Sequence, residues 1–595
     1  MRTPLPISRR TLIRSTAGLA AASALPLPAW ARGKSLTHAR QGFGEVSGER
    51  VSLSVDSHHF GVGGRAGHAI AVNGSVPGPL LRLKEGQDVR IDVTNNLGED
   101  TSIHWHGLLL PFHFDGVPGV SFPGIKPGET FTYEFPIRQS GTYWWHSHSG
   151  LQEQEGHYGP IVIESAEPDP RYDRDYVVLL SEFTPMHPHA IARKLKVGEH
   201  YFNYQMQTAS NGDMPLDERL MWGGMRMNPR DISDVTGSTY TFLVNGHGPM
   251  DGLEYLFTPG ERIRLRFING SAMTFFNIRI PGMPMTVIAA DGMDVADVEV
   301  DEFQIGVAET YDVIVTPPAG SHALVAEAMD RSGMGIASIT SHKGHRATPP
   351  PVREPVTLTM ADMGMGSMDG MDGGAMEHDA HGGMDHGAIG HGSGDSMPGM
   401  DHSSMDHSMR ATSKLPPDVK VGPGIDMVAP MPMDRMDFPG LGLDKVEHRV
   451  LRYTDLKAKR MNPHRMPTRQ MEIHLTGNME RYMWSFDGKK FSAVTDDPIR
   501  FAYDERVRVK LVNDTMMAHP IHLHGHFFEL VNGAGMMNQP LKHTVIVQPG
   551  STATFDVTAN EPGDWAFHCH LLYHMHAGMM QTVTVRPFPA PGEDT

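Results

Sequence analysis

The chain of 595 residues contains one cysteine, Cys569. No internal disulfide can form, so folded stability has to come from packing and from any bound metal. Basic residues are in the minority: 51 Lys and Arg against 69 Asp and Glu give a formal charge of −18. That balance argues against nucleic acid as a partner. Long apolar runs are missing too. The run from Ala17 to Leu27 falls well short of the ~20 residues of a spanning helix, and no later stretch qualifies. A transmembrane segment is not expected, and the chain is read as a soluble monomer.

The N-terminus carries an export pattern. Ser8-Arg9-Arg10-Thr11-Leu12-Ile13 precedes that mild apolar run, and Ala29-Trp30-Ala31 supplies a small-x-small cleavage site. Residues 1–31 are therefore read as a twin-arginine signal, which sends an already folded protein to the periplasm.

The lone cysteine lies in His568-Cys569-His570-Leu571-Leu572-Tyr573-His574, with Met579 ten residues after it. A thiolate, imidazoles and a thioether form the ligand set of a blue copper site; the alternative is a buried, inert cysteine. Asp564-Trp565-Ala566-Phe567 reads as a strand entering the motif. Alternation then turns Cys569 to one face and both His568 and His570 to the other. A short helix after the motif would return His574 and Met579 to the cysteine's side. Three further clusters follow the same logic: His104-Trp105-His106-Gly107, His146-Ser147-His148 and His519-Pro520-Ile521-His522-Leu523-His524-Gly525. One His-x-His is weak evidence, but four clusters behind strand-like runs are strong. They lie toward opposite ends of the chain, which predicts that the first and last domains share a metal site.

These four motifs, in this order, resemble those of the multicopper oxidases, the family of laccases and ascorbate oxidase. The resemblance implies four coppers. His519, Cys569, His574 and Met579 would hold type 1 copper, and His104 and His522 type 2 copper. His106, His146, His148, His524, His568 and His570 would hold the type 3 pair. It also implies that an electron enters at the type 1 site and crosses from Cys569 to His568 and His570. Asp115 matches a family carboxylate near the type 2 copper; a plain turn-forming Asp before Gly116 remains the other reading. Some bacterial relatives carry a carboxylate after the position of His574, where this chain has Met575. His113, His157, His526 and His576 match no ligand position and are read as structural or surface residues.

An internal repeat gives the domain count. Asn73-Gly74 is followed by Glu85 to Asn95, Asn245-Gly246 by Pro259 to Asn269, and Asp487-Gly488 by Tyr503 to Asn513. Each copy reads as a turn and then an alternating strand, the pattern of Greek-key sandwiches or barrels. The expected fold is all-β in three domains, at 32–168, 169–346 and 440–595, which the resemblance implies are cupredoxin-like. The middle repeat has no metal motif, so its expected role is to space and cover the outer two. Residues 347–439 form a linker whose part 361–409 holds ten methionines and six histidines. That segment lacks the apolar bulk to fold alone and is expected to be disordered. Soft thioethers favour Cu(I), so the segment reads as binding extra copper rather than as a bland spacer.

With these repeats and the twin-arginine pattern, the resemblance narrows to the bacterial copper-resistance protein A group. It implies oxidation of Cu(I) to Cu(II), and of phenols as well in laccase fashion, with dioxygen reduced to water and with other copper-resistance proteins as partners. The alternatives are a copper-sequestering protein and a general phenol oxidase.

Overall fold

The structure, a computed structural model, describes residues 36–167, 169, 171–207, 214–224, 227–363, 422–425, 428–491 and 497–587. The export signal read at 1–31 and the disorder read for the Met/His-rich segment, at its residues 364–409, lie outside the described residues. Nearly all regular structure is strand, arranged in six sheets. A six-stranded and a five-stranded sheet come from residues 40–164, a second such pair from 174–340, and a seven-stranded and a five-stranded sheet from 433–586. In the first pair, Val51, Leu53, Ile91 and Val93 of one sheet share a core with Leu81, Trp105, Trp145 and Ile161 of the other. The second and third pairs share one continuous apolar cluster, running from Phe267 and Ile305 to Val507, Phe555 and Trp565. Among the described residues no helix is long and apolar enough to cross a membrane.

The three repeats fold alike. Strands Asp88–Asn95, Ile263–Asn269 and Arg506–Asn513 each run parallel to an earlier strand and antiparallel to a later one. Each preceding turn has two residues at positive φ: Asn73 and Gly74 at 50° and 72°, Asn245 and Gly246 at 50° and 78°, Asp487 and Gly488 at 50° and 73°. Only a type I′ hairpin asks for this pair, and Asn-Gly or Asp-Gly supplies it at least strain. Each repeat strand ends on a buried asparagine that ties off the corner beyond it. Asn95 Nδ2 donates to the carbonyls of Glu99 and Ile125, Asn269 to those of Thr274 and Ile305, and Asn513 to those of Met517, Val547 and Gln548.

The five-stranded sheets of the first and last domains carry the metal-type residues. Strand His104–His106 pairs antiparallel with Gly141–His146, placing His104 opposite His146. Strand His519–Leu523 pairs with Gly563–Cys569, placing His522 opposite His568 and Ile521 opposite Cys569. Helix Leu572–Ala577 follows at once and ends at Gly578, whose φ is 134°. That short helix is the turn the sequence called for.

Replacing Asn269 by Ala should cost the buried Ile305 carbonyl its side-chain donor and leave the Thr274 carbonyl to Ser271 Oγ alone. With one carbonyl losing its side-chain partner, the loss of stability is roughly 1–3 kcal/mol. Denaturant unfolding of the variant against the parent measures it.

Candidate metal centre

Cys569, His519 and His574 meet in a fully buried cluster. Cys569 Sγ lies 3.5 Å from His519 Nδ1 and 4.0 Å from His574 Nδ1, and the two Nδ1 atoms are 3.2 Å apart. The far side of each ring is already bonded: His519 Nε2 to Thr515 Oγ1 at 2.7 Å, His574 Nε2 to Asp234 Oδ2 at 2.9 Å. With the ring protons held outward, both Nδ1 lone pairs point at one another and at the sulfur, an arrangement that a cation between them relieves. The Trp484 ring stacks on His574 at 3.9 Å, and Met579 is wholly buried, its carbonyl accepting from Cys569 N–H at 3.1 Å.

On the other face of the same strand, eight imidazoles from both ends of the chain converge. They form three overlapping groups: His104, His522 and His524; His106, His146 and His570; His148, His524 and His568. Five of the eight rings pass their Nδ1 outward. His104 Nδ1 donates to the Asp115 carbonyl at 2.7 Å, His522 Nδ1 to the His543 carbonyl at 2.7 Å, and His568 Nδ1 to the Cys569 carbonyl at 3.0 Å. His524 Nδ1 meets Asp115 Oδ2 at 2.9 Å, and His146 Nδ1 meets Glu153 Oε2 at 2.7 Å. Inward, the Nε2 atoms of His104, His106, His146, His522 and His570 are buried without a partner. His568 Nε2 lies 3.0 Å from His524 Nε2 and 3.4 Å from His148 Nε2. Buried polar atoms are rarely left unpaired, and a ring whose other nitrogen is tied to a carboxylate or carbonyl is the usual metal-ligating histidine. The donor set fits copper: imidazole at one centre, imidazole with thiolate at the other.

The structure thus brings together all ten histidines and the cysteine singled out from the sequence. In three motifs the second histidine (His148, His524, His570) lies just past the strand's end, where the ladder stops and the backbone is free to curl around the centre. Asp115 is both things the sequence allowed. It closes a short turn at Phe112–Phe114 and is buried between His104 and His524, with Oδ1 3.3 Å from His104 Nδ1. His157 and His526 are buried away from the ligand groups. The sequence did not reveal Asp234, Glu153 or His543. Asp234 belongs to the middle domain, so that domain does more than space and cover: it holds His574 and also accepts from Tyr482 Oη at 2.5 Å. No motif marks these residues; only the fold brings them near.

Burial sets the electrostatics. It pushes His106, His146, His148, His519, His522, His524, His570 and His574 well below the ordinary imidazole range, with neighbouring imidazoles adding to the effect for all but His574. His568 falls to about 4. Burial pushes the Cys569 thiol up, so its deprotonation is tied to metal capture. It also raises Asp234 to about 7, against the Tyr482 hydrogen bond.

Acid should therefore destabilise the metal-free protein. A histidine whose folded pKa is depressed leaves the unfolded chain binding the extra proton, so stability falls as pH drops from about 6.5 towards about 4, by about 1.4 kcal/mol per pH unit for each group. Buried carboxyls with raised pKa act in the opposite sense. Twelve buried imidazoles are lowered, the nine above with His157, His526 and His543. Five buried carboxyls are raised: Glu153, Glu182, Asp231, Asp234 and Asp330. The imidazoles win. Thermal melts of metal-free protein at pH 7 and pH 5 should show a lower midpoint at pH 5, and equal midpoints would contradict the balance.

Comparison with known proteins agrees with this geometry. Family models described as multicopper oxidase match residues 55–168, 174–345 and 464–589. Copper resistance protein A of Escherichia coli is 45% identical over 574 residues, covering 91% of this chain and 93% of that protein. The copper resistance protein A homolog of Pseudomonas syringae pv. tomato is 46% identical over 601 residues, covering 98% and 100%. Among solved structures, a laccase from Botrytis aclada superposes with a TM-score of 0.60 at 20% identity, covering 91% of this chain and 88% of the laccase. That likeness carries the fold, three cupredoxin-like domains. On the family models, the identity over nearly the whole length and the buried donor sets, the chain belongs to the multicopper oxidase family and is a copper-dependent oxidoreductase.

Proposed function

We propose that this protein is a periplasmic cuprous oxidase of copper resistance, converting Cu(I) to the less permeant Cu(II). Four Cu(I), one dioxygen and four protons would give four Cu(II) and two waters. His519, Cys569, His574 and Met579 would hold type 1 copper, His104 and His522 type 2 copper, and His106, His146, His148, His524, His568 and His570 the type 3 pair. Bound there, copper supplies the one-electron acceptor for the substrate and the centre for four-electron reduction of dioxygen.

The protein's own part is to join, orient and keep dry. The observation that carries the reading is the position of Cys569: it belongs to one buried cluster, while its chain neighbours His568 and His570 belong to the other. A single peptide link on each side thus connects electron entry to the oxygen site. Asp234 and Thr515 fix the outward protons of His574 and His519, so that both present Nδ1 to the sulfur. Asp115 does the same for His104 and His524 and is the carboxylate best placed to hold a proton or a water beside them. The ligands, all buried but for the partly exposed His148, exclude bulk water, which keeps the imidazoles neutral and ready as donors.

A role in copper resistance is supported by the names of the two bacterial relatives, and Cu(I) as substrate by four solvent-exposed methionines, Met431, Met433, Met461 and Met466. Methionine is more often buried, and its thioether suits Cu(I); Met436, by contrast, is core. Periplasmic location rests on the twin-arginine pattern.

Oxygen uptake on adding Cu(I) to the copper-loaded protein tests the reading. Cys569→Ser should abolish uptake and the blue thiolate absorption together, and uptake unchanged by that substitution refutes it. A second reading, protection by sequestration, rests on the ten methionines and six histidines of 361–409. Deleting that segment should leave oxidase activity intact. Resistance lost with oxidase activity retained would make sequestration the main function.

A further inference from the structure

His543 lies outside every motif that defines the centre, yet its ring reaches it. One nitrogen each from His543, His106 and His522 lie within 4.8 Å of one another, and all three residues are buried. The His543 ring stands edge-on to His106, with centroids 4.8 Å apart at 77°. Its place is tightly set. The backbone N–H groups of His543 and Thr544 donate to Asp291 Oδ2 at 3.2 and 3.1 Å, and that carboxylate is paired with the buried Lys542 at 3.1 Å. His543 Nδ1 meets Thr544 Oγ1 at 3.1 Å. On the opposite edge, Nε2 presses on Gly107, where a Cβ would come within 2.6 Å of it.

Two unmet needs face each other here. Among the described residues, His106 is the one histidine with both ring nitrogens buried and unpartnered. One of them suffices for a metal, and the other then carries a proton with nowhere to go. Other rings of the centre send that proton to Asp115, Glu153 or a carbonyl. His543 Nε2 is likewise buried without a partner. With the His543 proton on Nδ1, toward Thr544 Oγ1, Nε2 is left as an acceptor. We propose that His543 is a positioning residue for His106: its Nε2 accepts the N–H of the His106 nitrogen that does not ligate metal. Asp291 and Thr544 then stand behind His106 as Asp115 stands behind His104 and His524, with an imidazole interposed.

This inference rests on the four-copper reading. Outer partners of ligating histidines are typically worth about 10–100-fold in metal affinity. In the full-length copper-loaded protein, His543→Leu should weaken the cluster's hold on copper on the order of 10–100-fold, measured by chelator competition with copper counted per chain. The near-ultraviolet band that a type 3 pair would give should fall with it, while the blue Cys569 band, a reporter of the intact fold, should persist. His543→Gln, whose Oε1 is an acceptor, should keep the affinity close to that of the parent. A Leu variant that binds as tightly as the parent overturns the proposal, and so does a Gln variant that loses as much as Leu. If the Leu variant lacks the blue band because it fails to fold, the Gln variant decides alone: retained affinity supports the role and loss overturns it. A parent protein with the blue band but no type 3 band overturns the four-copper reading and this inference with it. A normal parent with an unaffected Leu variant overturns this inference only.

Discussion

Lone pairs aimed at lone pairs hold the key to this architecture. In a dry interior, nitrogens 3.0–3.4 Å apart with their ring protons turned outward repel one another. Such an interior is stable only when a cation fills it or when the surrounding framework is stiff enough to hold the rings apart. The framework meets the second condition through outward bonds to Asp115, Glu153, Asp234, Thr515 and backbone carbonyls. Those bonds select one tautomer per ring, and the tautomer selects the metal-facing atom: Nδ1 around Cys569, Nε2 in most of the larger cluster. Geometry and protonation are therefore set by the same contacts.

Most of the centre was legible in the sequence because strand periodicity is rigid. Cys569 and its flanking histidines must point to opposite faces once Gly563–Cys569 is extended, and the register Ile521 to Cys569 and His522 to His568 carries the same division to the partner strand. The repeats were legible for a similar reason: Asn-Gly and Asp-Gly at positive φ impose one hairpin type, three times over. Asp234, Glu153 and His543 were not legible. Each acts through a tertiary contact that no local spacing encodes, and Asp234 reaches His574 across 340 positions. The Asp115 turn shows the middle case, in which one residue serves a local turn and a distant ring together, so that either reading of the sequence holds.

The middle domain has no metal motif, yet the centre leans on it. Its apolar core is continuous with that of the last domain. Its Asp234 orients His574, and its Asp291 pins the backbone at the bend that carries His543. A three-domain chain with ligands only in the outer two still needs the middle one for the electrostatics of both clusters. A repeat without the ligand motif can still carry residues on which the site depends.

The solitary thiol has one more consequence. Copper and oxygen together oxidise exposed sulfur rapidly, through sulfenic acid to mixed disulfides. Cys569 has no solvent contact, and burial disfavours its thiolate until a ligand-field partner arrives. A chain with no other cysteine offers no sulfhydryl for crosslinking between copies. It is built to stay single-chained in the mixture of copper and air that would tangle an ordinary thiol protein, with its surface thioethers as the sulfur left to weather.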